Sequence, residues 1–116
     1  MTPKEIALTA VRALDSKKGI DIKLLETTEI SSLADYFVIC TGSSSTQVKT
    51  LCDAAEAAMD AIGEPAVHRE GHRSGTWVLL DFGCVIVHVF TAETRQYYDL
   101  ERLWRDAIPV AFTTEA

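Results

Sequence analysis

The chain has 116 residues, 47% hydrophobic and 24% charged, which is one ordinary globular domain able to build a core without disulfide or metal staples. Its 17 acidic and 11 basic residues leave a formal charge of −6. That argues against sequence-specific or backbone binding to nucleic acid, which needs a basic surface. It is compatible with a basic protein partner, and equally with a solvated acidic surface that has no partner, which charge alone favours.

Cys40, Cys52 and Cys84 are odd in number, widely spaced and in apolar contexts, with no C-x-x-C. They are expected to be buried free thiols in a reducing compartment. No signal peptide precedes the first element and no apolar run reaches membrane-spanning length, so a cytoplasmic protein is expected.

A first helix is expected from Thr2. Thr2 and Glu5 make a capping-box pattern with Pro3 at the first helical position. Ile6, Ala7, Ala10, Val11 and Leu14 form its apolar face, Lys17 and Lys18 suit its negative end, and Gly19 stops it. Ile20, Ile22 and Leu24 alternate with Asp21, Lys23 and Glu26, the mark of a half-buried strand. A polar connection over 27–35 leads to Tyr36-Phe37-Val38-Ile39-Cys40, a continuous apolar run that predicts a central strand covered on both faces.

Thr41-Gly42-Ser43-Ser44-Ser45 breaks that strand, and Ser44 with Gln47 repeats the capping-box pattern. Val48, Leu51, Cys52, Ala55, Met59 and Ile62 recur at helical spacing until Gly63 and Pro65. Strands then dominate: 66–70, and a hairpin of 76–82 and 84–90 around Gly83. A third helix is expected over 96–106, with Tyr97, Leu100 and Trp104 on one stripe, Leu103 beside it, and Pro109 as its stop.

The sum is an α/β single domain: a five-stranded mixed sheet with flanking helices over 1–109, and a flexible tail over 110–116. Two long helices cover one sheet face. Trp77, Leu79 and Asp81 share one strand face, and Val78, Leu80 and Phe82 the other. An apolar sheet face left uncovered marks a protein-binding site.

Candidate chemistry is thin. A strand ending in Gly42-Ser43 and opening a helix is half of the nucleotidyltransferase signature, whose loop amides hold a phosphate. The other half, two strand carboxylates one residue apart for divalent metals, is missing, because Asp53 falls inside a helix and Asp81 stands alone. Nucleotide binding is therefore the alternative reading, and a turn with a helix cap the preferred one.

His68, Glu70 and His72 could share a strand face, but H-E-x-x-H is absent and no third strong ligand is evident, so no metal or other cofactor is assigned. His88 reads as a hydrogen-bonded structural imidazole. No G-x-S-x-G elbow occurs, and lone apolar cysteines are inert, so no enzyme is read here. Trp77 is either a core residue or a binding anchor, and both readings stand; Tyr97, Tyr98 and Trp104 pose the same choice.

Three stretches in order carry a family resemblance. Asp35-Tyr36-Phe37-Val38-Ile39-Cys40-Thr41-Gly42-Ser43-Ser44 is the first. Gly75-Thr76-Trp77-Val78-Leu79-Leu80-Asp81-Phe82-Gly83, followed by Val85-Ile86-Val87-His88-Val89-Phe90, is the second. Arg95, Tyr98-Asp99-Leu100-Glu101 and Leu103-Trp104 form the third, and Glu70-Gly71 also matches. Together they resemble the ribosomal silencing factor (Iojap-like) family.

The resemblance implies a nucleotidyltransferase-like fold without that activity. It also implies binding to ribosomal protein fourteen of the large ribosomal subunit, steric blocking of small-subunit joining, and lowered translation when nutrients are scarce. It implies that Trp77, Leu79 and Asp81 contact the ribosomal protein, with Glu70 and Tyr98 adjoining, and that a homodimer can form. Two positions depart from the family pattern. Cys84 stands where an acidic residue is usual, which would remove one rim charge, and Ser43 stands where Asn is frequent, a change both turn and cap tolerate.

Overall fold

The computed structural model describes residues 1–29, 34–97, 102 and 105–113. The chain order is α1 (Pro3–Ser16), β1 (Ile20–Glu26), β2 (Tyr36–Gly42), α2 (Ser45–Ala61), β3 (His68–Glu70), β4 (Trp77–Asp81), β5 (Val85–Thr91), α3 (Ala92–Tyr97) and β6 (Ile108–Pro109). The strands form one mixed sheet in the order β3-β4-β5-β2-β1-β6. Among the described residues β2 and β5 run parallel, and the other neighbours are antiparallel.

α1 forms where its caps dictate. Thr2 accepts from the Glu5 amide, and the Glu5 carboxylate accepts from the Thr2 amide at 3.0 Å. That bond holds the Glu5 carboxyl below its usual range. α2 starts at Ser44, whose hydroxyl accepts from the Gln47 amide at 3.1 Å. The reciprocal bond expected of a capping box is displaced by one residue, because Gln47 Oε1 takes the amide of Ser43 rather than that of Ser44. Gln47 Nε2 also donates to the carbonyls of Lys17 and Lys18, tying the start of α2 to the end of α1.

Both helices lie on one face of the sheet. Ile6, Val11 and Leu14 of α1 and Val48, Leu51 and Met59 of α2 pack with Leu24, Val38, Val78, Leu80, Val87 and Val89. The opposite face carries a smaller cluster of Leu25, Ile39, Phe90 and Ala107, with Phe37 and Trp77 packed against it. The alternation of β4 is kept as expected: Val78 and Leu80 are buried under the helices, and Trp77, Leu79 and Asp81 on the other face are partly buried.

Several expectations are corrected. Among the described residues the sheet has six strands, not five, because 108–109 pairs with β1, Leu25 opposite Pro109 and Glu26 opposite Ile108. Pro109 therefore ends no helix and sits on an edge strand, where a missing N–H is tolerated. Helix α3 covers Ala92–Tyr97 and so begins four residues before the expected start at 96, and most of the expected 96–106 span lies outside the described residues. Thr91 Oγ1 accepts from the Thr94 amide at 3.3 Å, so the helix opens as soon as β5 ends. The expected stripe of Leu100, Leu103 and Trp104 lies outside the described residues.

β1 does not alternate cleanly. Its pairing with β2 shifts between Ile20 and Lys23, and Asp21 has φ 50, so Ile20 is 47% exposed. The packed part of the chain also runs past residue 109. Val110 donates to the Leu24 carbonyl at 2.9 Å, and Val110 and Phe112 pack on the helix-side core. Cys40 and Cys52 are free and buried, and burial pushes both thiols up to about 12. Cys84 is only partly buried, a departure from the expected sealed thiol.

Candidate functional site

Strand register assembles the helix-free face in rows, since residues opposite one another in a sheet share a face. His68, Asp81, Ile86 and Phe37 make one row. Glu70, Leu79, His88 and Ile39 make the next, and Trp77, Phe90 and Thr41 the third. Trp77, Leu79, Ile86 and Phe37 are each partly exposed, whereas Phe90 and Ile39 are sealed beneath. The result is an apolar centre bordered by the carboxylates of Glu70 and Asp81.

Trp77 is held on both sides. Its Nε1–H donates to His88 Nδ1 at 3.3 Å, and its ring meets the edge of Phe90 with centroids 6.2 Å apart. His88 also lies edge-on to Phe37 at 5.2 Å. Burial lowers the His88 pKa to about 4, so its Nδ1 stays an acceptor and the ring stays neutral. The expected structural role for His88 is what the geometry shows.

Gly71 makes this arrangement possible. Its φ is 80, and a Cβ there would stand 2.0 Å from the Trp77 carbonyl oxygen. Only glycine lets the β3 end pass that close to the start of β4.

The structure brings Trp77, Leu79, Asp81 and Glu70 together on this face, and Tyr98 lies outside the described residues. Neither carboxylate is idle. Asp81 Oδ1 accepts from the Gly83 amide at 2.8 Å and closes the β4–β5 turn. Glu70 pairs with His68 at 2.9 Å on the exposed strand end. Cys84 packs against the helix-side core.

Sequence reasoning missed the far border of the face. Thr76, Trp77, Glu93, Thr94 and Tyr97 line an open depression of about 410 Å³. The helical start that places Glu93 and Thr94 there was signalled by Thr91 as a cap, three residues before Thr94.

The other candidate chemistry disperses. His72 does not share a face with His68 and Glu70. The turn at Gly71 sends it to α2, where it pairs with Asp53 at 3.0 Å. Among the described residues, no three His, Cys, Asp or Glu side chains gather as metal ligands would. At the start of α2, Gly42 packs so tightly that a Cβ would meet Val48 Cγ2 at 2.7 Å. The Ser43 and Gln47 amides there are already taken by side chains of the same turn. Among the described residues no helix is long and apolar enough to cross a membrane.

Comparison with known proteins places the chain. The model of the family described as "Ribosomal silencing factor during starvation" matches residues 1–115. A ribosomal silencing factor from Bacillus subtilis is 42% identical over 107 residues, 92% of this chain and 91% of that protein. A crystal structure of a Chromobacterium violaceum protein, 42% identical, superposes with a TM-score of 0.87 over 90% of this chain and 87% of that one. A more distant mouse relative, 29% identical over 97 residues, 81% of this chain and 42% of that protein, is named for mitochondrial assembly of the ribosomal large subunit. The chain belongs to the RsfS family of ribosomal silencing factors.

Proposed function

We propose that this protein represses translation as a non-enzymatic cytoplasmic factor. It docks the helix-free face of its sheet on the large ribosomal subunit, contacts ribosomal protein fourteen there, and keeps the small subunit from joining when nutrients are limiting. Family membership supports the ribosomal role, and the mouse relative's name points to the large subunit.

The observation that carries the site is a partly exposed tryptophan on an apolar sheet face, in the row next to Leu79 and Glu70 with Asp81 one row further along, on a chain of charge −6. Apolar centres supply affinity, and rim carboxylates steer a basic partner. Self-association through this face would compete with docking and serve as a reservoir.

The test is co-sedimentation with purified large and small subunits, followed by subunit joining on a gradient. The wild type is expected with large subunits alone and lowers the joined fraction, and Trp77→Ala is expected to do neither. Equal joining with and without the wild-type protein would reject the reading.

A further inference from the structure

We propose that the depression between the start of β4 and α3 is a receptor for one lysine or arginine side chain of the ribosomal partner, with Trp77 and Tyr97 as aromatic walls and Glu93 as the counter-charge. This rests on the docking reading above and extends it to residues that the sheet face does not include.

The lining selects the ligand. Trp77 and Tyr97 offer ring surface, Glu93 a carboxylate, and Thr76 and Thr94 hydroxyls. An anion would meet Glu93 and the net negative charge of the chain. A purely apolar group would make no use of the exposed Glu93 carboxylate. A basic side chain satisfies all of them, its stem on the rings and its head between ring face and carboxylate.

The surroundings agree. The Trp77 N–H is engaged by His88, so the indole offers its π surface. His88 is kept neutral by burial and places no competing positive charge beside it. Arg95, the cation on the same short helix, turns to the other side. Its Nη1 donates to Thr41 Oγ1 at 2.8 Å, its Nη2 pairs with Asp21 at 3.3 Å, and its head lies over Phe90. Tyr97 is 82% exposed, so its ring is accessible to a docking side chain.

The experiment has two arms. In the first, affinity for purified large subunits is measured for wild type, Trp77→Ala, Glu93→Gln, Tyr97→Ala and Tyr97→Phe across a salt series. Glu93→Gln and Tyr97→Ala are expected to weaken binding about fivefold or more, and Tyr97→Phe to keep it. Glu93→Gln should also flatten the salt dependence, which a merely structural role would not do. In the second arm, n-butylguanidinium chloride and sodium butyrate are titrated while the Trp77 indole N–H resonance is followed. The guanidinium should shift it and the carboxylate should not, and Glu93→Gln should suppress the shift.

If Trp77→Ala loses subunit binding while Glu93→Gln and Tyr97→Ala match the wild type, docking stands and the receptor is overturned. If the two probes act alike, the receptor is overturned whatever the ribosome shows. If the guanidinium binds through Glu93 but no variant changes subunit affinity, the docking reading falls, and the ribosomal origin of the ligand falls with it.

Discussion

The Trp77 indole N–H donates to Nδ1 of His88 at 3.3 Å across the β4–β5 pair, so the proposed anchor of the docking face is oriented by a buried neutral imidazole. The bond fixes the tautomer, with the ring proton on Nε2, and makes the anchor depend on His88 staying uncharged.

That dependence predicts a pH response. An exposed imidazole in the unfolded chain titrates near 6.5, and burial lowers the folded value to about 4. Above pH 6.5 both states are neutral and the group has no effect. Below it the unfolded chain takes up a proton that the folded one refuses. Stability should therefore fall as pH drops from 6.5 toward 4, by on the order of 3 kcal/mol at most from this group. Urea midpoints at pH 7, 5.5 and 4.5 check this, and His88→Phe should flatten that part of the profile.

Trp77→Ala should cost about 2 kcal/mol or more in affinity for large subunits, as for a hot-spot anchor. Part of the ring is already exposed, so the fold should survive with unchanged far-ultraviolet dichroism. Wild-type affinity in this variant would remove Trp77 from the interface.

The turn bond of Asp81 and its proposed role as a rim charge can be separated by substitution. Asp81→Asn keeps a side-chain oxygen for the Gly83 amide and should melt near the wild type while binding large subunits less well. Asp81→Ala should also lose the turn bond, at about 1 kcal/mol. Thermal melts beside co-sedimentation read the two effects independently.

Gly71→Ala should be among the most damaging single changes outside the core. It combines a left-handed backbone with a Cβ that overlaps the Trp77 carbonyl. A loss of about 2 kcal/mol or more is expected, with weakened subunit binding as β4 shifts. A denaturant midpoint equal to wild type would contradict the close approach.

Magnesium with ATP, GTP or CTP should leave the melting temperature unchanged, because the Ser43 amide is taken by Gln47 Oε1 and the Gln47 amide by the Ser44 hydroxyl. A specific shift abolished by altering Ser43 would restore the nucleotide-binding alternative.

The local grammar of the chain was legible from residues alone. The Thr2–Glu5 capping box, the apolar stripe of α2, the hairpin at Gly83, and the opposite faces of Trp77-Leu79-Asp81 and Val78-Leu80 all follow from spacings of two to four residues. Backbone geometry repeats on that scale, so sequence suffices there. Tertiary structure alone decided what those pieces face. It set β5 between β2 and β4, folded 108–109 back beside β1, sent His72 to Asp53, and placed Glu93 and Tyr97 beside Trp77. Arg95 meets Thr41 across 54 positions of chain. Such pairings arise from burial and strand register in the whole sheet, and no local period encodes them.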